Sequence, residues 1–288
     1  MELRAWRLSR SNGGVRRHVR DVAAEIVAGI LDWHSRSLCN RTTSSLHLAM
    51  CGIWCALSTR QHVWPSDDTL QLLERRGPDS SCRYEAICER STSSSQPCYI
   101  VFHSTVLSLR GHGTVRQPYR SDGSESTLCW NGEAWKIAGQ TQVTGNDTEA
   151  VASSLDEVSY AARMTPIRSE AVENQAMLVA KALAEISGPY AFVYHDASNG
   201  ILFFGRDFLG RRSLLTLTTA DGDLLISSVA GEQCKSEDPP WFEVEADGVY
   251  YVDLYADILV RKVPYHFADM NTEESTLSVG LPDASELL

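Results

Sequence analysis

The sequence predicts an α+β domain of packed layers, and three observations predict it. Nine short apolar runs have strand character, three stretches with helical spacing lie among them, and turn-forming residues separate the two kinds. Strand text occupies residues 51–57, 99–109, 126–131, 190–196, 201–205, 213–218, 224–229, 249–253 and 258–263, and helical spacing occupies 68–75, 148–160 and 170–186. The first strand rests on the apolar run Ile53, Trp54, Cys55, Ala56 and Leu57. The first helix ends in Arg75-Arg76, whose charges suit a helix C-terminus, and Gly77-Pro78 then turns the chain. Residues 91–95 and 120–126 are loops by composition. Asn131-Gly132 reads by default as a type I′ hairpin turn after the strand that precedes it. Asn146-Asp147-Thr148-Glu149 reads as a helix N-cap before Ala150, Val151 and Leu155. After Ile201-Leu202-Phe203-Phe204 comes a charge cluster of Arg206, Asp207, Arg211 and Arg212, read mainly as structural. No internal repeat is present.

Length and charge narrow the classes. A chain of 288 residues can bury one sizeable core with residues to spare. Its formal charge of −11 argues against a nucleic-acid partner. The charge is uneven, because residues 1–49 hold eight Arg and no Lys against Glu2, Asp21, Glu25 and Asp32, a balance of +4 that leaves −15 on the remainder. The junction falls at Met50. Within the extension, residues 21–33 read as an amphipathic helix; the Arg and Ser richness before it imitates a mitochondrial transit peptide, against which the four acidic residues weigh. We expect residues 1–49 to be disordered or absent from the mature protein, and the polar residues 266–288 to be a tail or linker. Eight cysteines without CxxC spacing or a signal peptide point to reduced thiols in the cytoplasm, with neither a disulfide framework nor a metal site. No apolar run approaches about 20 residues, so no membrane partner is expected.

Met50-Cys51-Gly52-Ile53 carries the chemistry. If the mature chain starts at Cys51, thiol and α-amine share one residue, and an amine with a pKa near about 8 can take the thiol proton and later protonate a leaving amine. That is amide-bond chemistry. A depressed or base-assisted thiol would set Cys51 apart from the other cysteines. Cys55, inside the apolar run, reads as a buried structural thiol.

Further segments follow in fixed order: Arg75-Arg76-Gly77-Pro78-Asp79-Ser80, Trp130-Asn131-Gly132-Glu133, Gly145-Asn146-Asp147-Thr148-Glu149, and Gly205-Arg206-Asp207-Phe208-Leu209-Gly210-Arg211-Arg212-Ser213. Behind Met-Cys-Gly-Ile they resemble the class II glutamine amidotransferase domain. The text between them, namely His103-Ser104-Thr105-Val106-Leu107-Ser108-Leu109-Arg110-Gly111, Gln117-Pro118, Ser187-Gly188-Pro189-Tyr190-Ala191-Phe192 and Ile226-Ser227-Ser228-Val229, resembles the asparagine synthetase domain-containing proteins. The likeness spans residues 50–265. It implies the four-layer αββα fold of N-terminal-nucleophile hydrolases.

It also implies roles. Cys51 would be the nucleophile, with the Asn131 side-chain amide and the Gly132 N–H as the oxyanion hole. Arg76 would bind the α-carboxylate of glutamine, for which its planar fork is suited. Asp147 would bind the α-ammonium group opposite it, with Glu133 in the same pocket. Gly77, Pro78, Asp79 and Ser80 would belong to the glutamine-binding stretch, although Ser80 stands where many relatives carry an aromatic residue. The turn at Arg206 and Asp207 would support the pocket wall and the approach to a synthetase half.

Relatives of this kind continue into an ATP-pyrophosphatase domain with a Ser-Gly-Gly-x-Asp-Ser loop, and Ser278-Val279-Gly280-Leu281 does not substitute for it. ATP and Mg are therefore expected only for that absent half, and no cofactor for this chain. The expected activity is hydrolysis of glutamine to glutamate and ammonia, for asparagine synthesis on a synthetase domain in cis or trans. The alternative is a catalytically silent binding or regulatory module. Another class II enzyme of hexosamine or purine-precursor synthesis is a third reading, which the Ser187 to Phe192 and Gly205 to Leu215 text disfavours.

Overall fold

The structure, a computed structural model, describes residues 50–89, 96–111, 113–121, 123–138, 141–162, 168–231, 239–256 and 258–265. All of them lie in the larger of two compact units, Leu48–Leu288. The 1–49 extension with its expected helix, the 91–95 loop and the 266–288 tail lie outside the described residues.

Thirteen strands and three helices are described: β1 (Gly52–Ser58), α1 (Asp67–Arg76), β2 (Ser80–Cys88), β3 (Cys98–Val106), β4 (Thr127–Gly132), β5 (Lys136–Ile137), β6 (Thr141–Gln142), α2 (Asp147–Ala162), α3 (Arg168–Ala184), β7 (Tyr190–Asp196), β8 (Ile201–Arg206), β9 (Leu215–Thr218), β10 (Leu224–Ser227), β11 (Phe242–Glu243), β12 (Gly248–Asp253) and β13 (Arg261–Pro264). They form a six-stranded sheet in the order β11-β9-β10-β1-β3-β2, a five-stranded sheet in the order β13-β12-β8-β7-β4, and the small pair β5-β6.

Side-chain alternation turns these sheets into layers. Ile53, Cys55, Leu57, Ile100 and Phe102 of the first sheet meet Cys129, Ala191, Val193, Leu202 and Phe204 of the second in one buried cluster. The intervening residues Trp54, Ala56 and Val101 face outward and pack with Leu73 of α1. On the far side, Leu128, Trp130, Phe192, Tyr194 and Phe203 pack with Val151 and Leu155 of α2 and with Ala176, Val179 and Leu183 of α3. The result is helix, sheet, sheet, helix, the αββα order expected. Central strands are covered on both faces, which is why β1 and β7 read as unbroken apolar text.

Three differences from the sequence reading have physical causes. β2 was not anticipated: it is an edge strand whose residues alternate between half-buried and exposed, so Ser81, Arg83 and Glu85 dilute its apolar signal. β3 stops at Val106, and residues 107–109 leave the sheet. Asn131-Gly132 is not a hairpin turn. These residues end β4 opposite Ala191 and Tyr190 of β7, a partner far along the chain, so no turn is needed there.

Helix ends follow their caps. The Ser66 hydroxyl accepts the Thr69 N–H at 3.3 Å, and Asp67 and Asp68 occupy the first turn of α1. α2 is capped by Asn146, whose Oδ1 accepts from Thr148 N at 2.9 Å and Glu149 N at 3.4 Å. At the other end of α1, a Cβ on Gly77 would lie 2.4 Å from the Thr105 carbonyl carbon, so only glycine lets this turn press on β3. Gly77→Ala should accordingly destabilise the fold by roughly 1–3 kcal/mol, since backbone cannot yield as a side chain does; urea titration of parent and variant measures it. Among the described residues no helix is long and apolar enough to cross a membrane, and no group of three or more His, Cys, Asp or Glu could hold a metal ion.

Candidate active site

One cavity gathers Cys51, Leu107, Ser108, Arg110, Gln117, Trp130, Asn131, Gly132, Glu133, Asp147, Thr148 and Arg212. Its members come from the start of β1, the loop after β3, the end of β4, the first turn of α2 and the turn after β8. Five of the residues marked by the sequence, Cys51, Asn131, Gly132, Glu133 and Asp147, are thus brought together.

Cys51 is half-buried, with Sγ 3.7 Å from the Leu107 carbonyl oxygen. Burial raises its thiol pKa; the Leu107 hydrogen bond offsets part of that, Asp147 adds to it, and the Arg76 and Arg212 guanidiniums pull the other way. A depressed thiol, one of the two forms of activation considered for Cys51, is therefore not what this geometry gives. In this chain the Cys51 nitrogen is a peptide nitrogen bonded to Met50. Two fully buried thiols lie further from ionisation: Cys55 has no exposed surface and is pushed well above the usual range, and Cys129 is pushed up to about 12, both by burial.

Arg76 brackets the residue 50–51 backbone. Its carbonyl accepts the Met50 N–H at 3.1 Å and its Nε donates to the Cys51 carbonyl at 3.2 Å. Its Nη2 is buried without a hydrogen-bond partner.

Asn131 is only 1 % exposed, yet its Nδ2 has no partner. A buried amide without an acceptor is costly, on the order of 1–3 kcal/mol; among the described residues Trp54, Ser104, Thr127 and His195 also bury an unpartnered polar atom, but Asn131 does so on the wall of the cavity that holds Cys51. The Gly132 N–H is oriented by the ladder. Tyr190, opposite it, spends both its N–H and its carbonyl on Asp207, at 3.0 and 2.9 Å. Gly132 is therefore the non-bonded member of its pair, and its N–H points off the outer edge of β4. The Trp130 N–H, two residues back, points the same way and meets Gln117 Oε1 at 2.6 Å.

Asp147 is 5 % exposed, and one carboxylate oxygen accepts from Ala134 N at 2.9 Å and Trp130 Nε1 at 3.2 Å. This excludes the capping reading, because Asn146 does the capping and Asp147 is turned to the cavity wall. Glu133 accepts from Arg212 Nη2 at 3.2 Å.

Neither Arg76 nor the stretch after it lines the cavity. Asp79 Oδ2 accepts the Ser108 N–H at 2.8 Å and Asp79 N donates to the Val106 carbonyl at 2.9 Å, so this residue tethers the loop that does. Pro78 bridges to Val106, Gly77 packs under β3, and the Ser80 hydroxyl lies 3.7 Å from Cys82 Sγ.

Of the four charged residues at the end of β8 and in the turn after it, three are scaffold. Asp207, 1 % exposed, accepts from Tyr190 N, Leu209 N, Arg211 N and Arg211 Nε, and Arg206 reaches Glu243 and the Val244 and Gly210 carbonyls. Arg212 departs from the structural reading. It lines the cavity, pairs with Glu133 and places Nη1 2.9 Å from the Met50 sulfur. Arg110, Gln117 and Thr148 were also not marked as site residues. Arg110 and Gln117 stand in text that carries the family likeness, but nothing in their spacing announces a pocket.

No protein-family model matches the chain. By sequence it is 32 % identical over 217 residues to asparagine synthetase domain-containing protein 1 of Mus musculus, covering 74 % of this chain and 31 % of that protein. The same-named protein of Bos taurus is 34 % identical over 217 residues, covering 74 % of this chain and 30 % of its own. That of Homo sapiens is 30 % identical over 213 residues, with 73 % and 29 % covered. The chain spans under a third of the length of these relatives. Among solved structures, a glutamine phosphoribosylpyrophosphate amidotransferase from B. subtilis aligns with a TM-score of 0.45 at 16 % identity, over 76 % of this chain and 50 % of that one. A glutamine aminotransferase class-II domain protein from Silicibacter pomeroyi aligns with a TM-score of 0.31 at 10 % identity, over 76 % of this chain and all of that one. On its sequence matches, the chain is a homologue of the asparagine synthetase domain-containing proteins, related to them over about three-quarters of its length.

Proposed function

We propose that this chain is a class II glutamine amidotransferase that hydrolyses glutamine to glutamate and ammonia, with Cys51 as an N-terminal nucleophile. The observation that carries the reading is the unpartnered Asn131 Nδ2, buried in the cavity that holds Cys51 and beside the outward Gly132 N–H. Two unspent donors on adjacent residues of one cavity wall suit an oxygen that becomes negative when a thiolate attacks an amide carbonyl. The α-amine of Cys51 takes the thiol proton and returns it to the departing ammonia, and water then cleaves the thioester. No cofactor from this chain is called for. The ammonia acceptor is a synthetase domain in cis or trans, where ATP and Mg would act, and the product class is asparagine. The six free cysteines among the described residues suit a reducing, cytoplasmic setting.

A silent binding module is the second reading, favoured by one observation: with Met50 attached, Cys51 has no free amine and burial raises its thiol pKa. Release of glutamate and ammonia by a chain started at Cys51 decides between the two. The clamp gives a finer test. Arg76 and Asp147 grip opposite ends of the glutamine zwitterion, so Arg76→Ala should erase the preference for glutamine over its α-decarboxylated analogue alone. Asp147→Ala should erase the preference over the deaminated analogue alone. Each loss should be about 2–5 kcal/mol in kcat/KM, mostly from the charge left unpaired. Identical losses in both variants would place the pocket elsewhere.

A further inference from the structure

β4 is an edge strand, so its outer N–H and carbonyl groups have no neighbouring strand to meet. Three residues present that edge in turn. Leu128 exchanges both its backbone bonds with Tyr119, at 2.7 and 2.9 Å. Trp130 donates its N–H to Gln117 Oε1 at 2.6 Å. Gly132 comes next, and its N–H faces the cavity. A backbone bridge thus gives way to a single side chain, and then to an open donor.

Gln117 is 2 % exposed and both ends of its amide are engaged. While Oε1 holds the Trp130 N–H, Nε2 donates to Thr148 Oγ1 at 3.2 Å, in the first turn of α2 beside Asp147. Trp130 reaches the same turn through Nε1, which donates to Asp147 Oδ2 at 3.2 Å. One buried side chain therefore ties the last residues of β4 to the helix that carries the carboxylate.

We infer that Gln117 is a positioning residue for the oxyanion hole: its amide replaces a neighbouring strand at Trp130 and so fixes where Asn131 and Gly132 aim. The inference rests on the glutaminase reading above. It also gives Gln117 a purpose that ordinary packing does not require, since a main-chain bridge could have continued along the edge as it does at Leu128. Instead the bridge stops at Leu128, the Gln117 side chain takes over at Trp130, and Gly132 is left free.

The test uses the chain started at Cys51, with steady-state kinetics on glutamine, the inhibition constant of glutamate, and thermal melting. Gln117→Leu keeps the apolar volume but loses the acceptor for Trp130. We expect kcat to fall about tenfold to a hundredfold, as for a reacting group displaced by a fraction of an ångström to an ångström. KM and the glutamate constant should stay within about threefold, because neither depends on the developing oxyanion. Gln117→Glu keeps an oxygen acceptor for the Trp130 N–H and should retain kcat within about fivefold; it also serves as the deciding variant if the leucine variant does not fold. An inactive parent overturns the glutaminase reading and this inference together. With an active parent, an unchanged kcat in Gln117→Leu, a loss confined to KM or to the melting temperature, or an equal loss in Gln117→Glu overturns the inference alone.

Discussion

Started at Cys51, the chain should hydrolyse glutamine, and Cys51→Ala in that background should lower kcat by about 10³-fold or more, while the melting temperature barely moves. A nucleophile acts through the reaction path, so its removal takes away the covalent route and leaves only what the donors and binding contribute. Cys55→Ala should keep most of the activity, because Cys55 lies fully buried in the cluster between the sheets and reaches no part of the cavity. A second arm isolates the amine. The same chain with Met50 retained keeps the thiol but converts its base into a peptide nitrogen, and a positioned general base contributes typically 10²–10⁴-fold. The geometry adds to that loss, since the Met50 side chain occupies the cavity wall against Arg212 and its N–H is held by the Arg76 carbonyl. Ammonia release and intact-mass measurement read all four proteins. Equal rates with and without Met50 would remove the α-amine from the mechanism, and an active Cys51→Ala beside a dead, folded Cys55→Ala would move the nucleophile.

The fold was legible where burial is two-sided or the caps are explicit. β7 was placed to the residue, and α1 within one residue at each end, because continuous apolar text in the strand, and helical spacing closed by Arg75-Arg76 and Gly77-Pro78, leave little room for another register. β2 was hidden by its exposed face. The candidate site was legible as chemistry but not as geometry. Cys51, Asn131, Glu133 and Asp147 were marked by type and order, yet Asn131-Gly132 alone says hairpin and Asp147 alone says cap. What removed both local meanings is non-local: pairing of β4 with β7, and Asn146 taking the cap. Arg212 was hidden for a similar reason. It follows three residues that brace the scaffold, with bonds to Gly188, Tyr190 and Glu243, and only the pairing with Glu133 shows that it belongs to the cavity. Asp79 shows the opposite case, a marked residue whose visible work is to hold the Ser108 loop.

Asn131→Ala should lower kcat by roughly 10²–10³-fold with KM changed little, because an oxyanion donor is used chiefly when charge develops on the substrate oxygen. Stability should separate this role from a structural one. In the free protein Asn131 Nδ2 has no hydrogen-bond partner, so truncating the side chain forfeits no bond from that nitrogen and relieves a buried unpaired donor. The melting temperature should therefore hold or fall only slightly, even though the residue is 1 % exposed at the end of β4. Asn131→Asp sharpens the test: the shape is kept while a donor becomes an acceptor that is negative near neutral pH, facing the same growing charge. It should be at least as slow as the alanine variant. If Asn131→Ala instead raises KM alone, or unfolds the chain at constant kcat, the amide serves binding or packing, and the cavity beside Cys51 has lost the feature that most directly marks it as a site for attacking an amide.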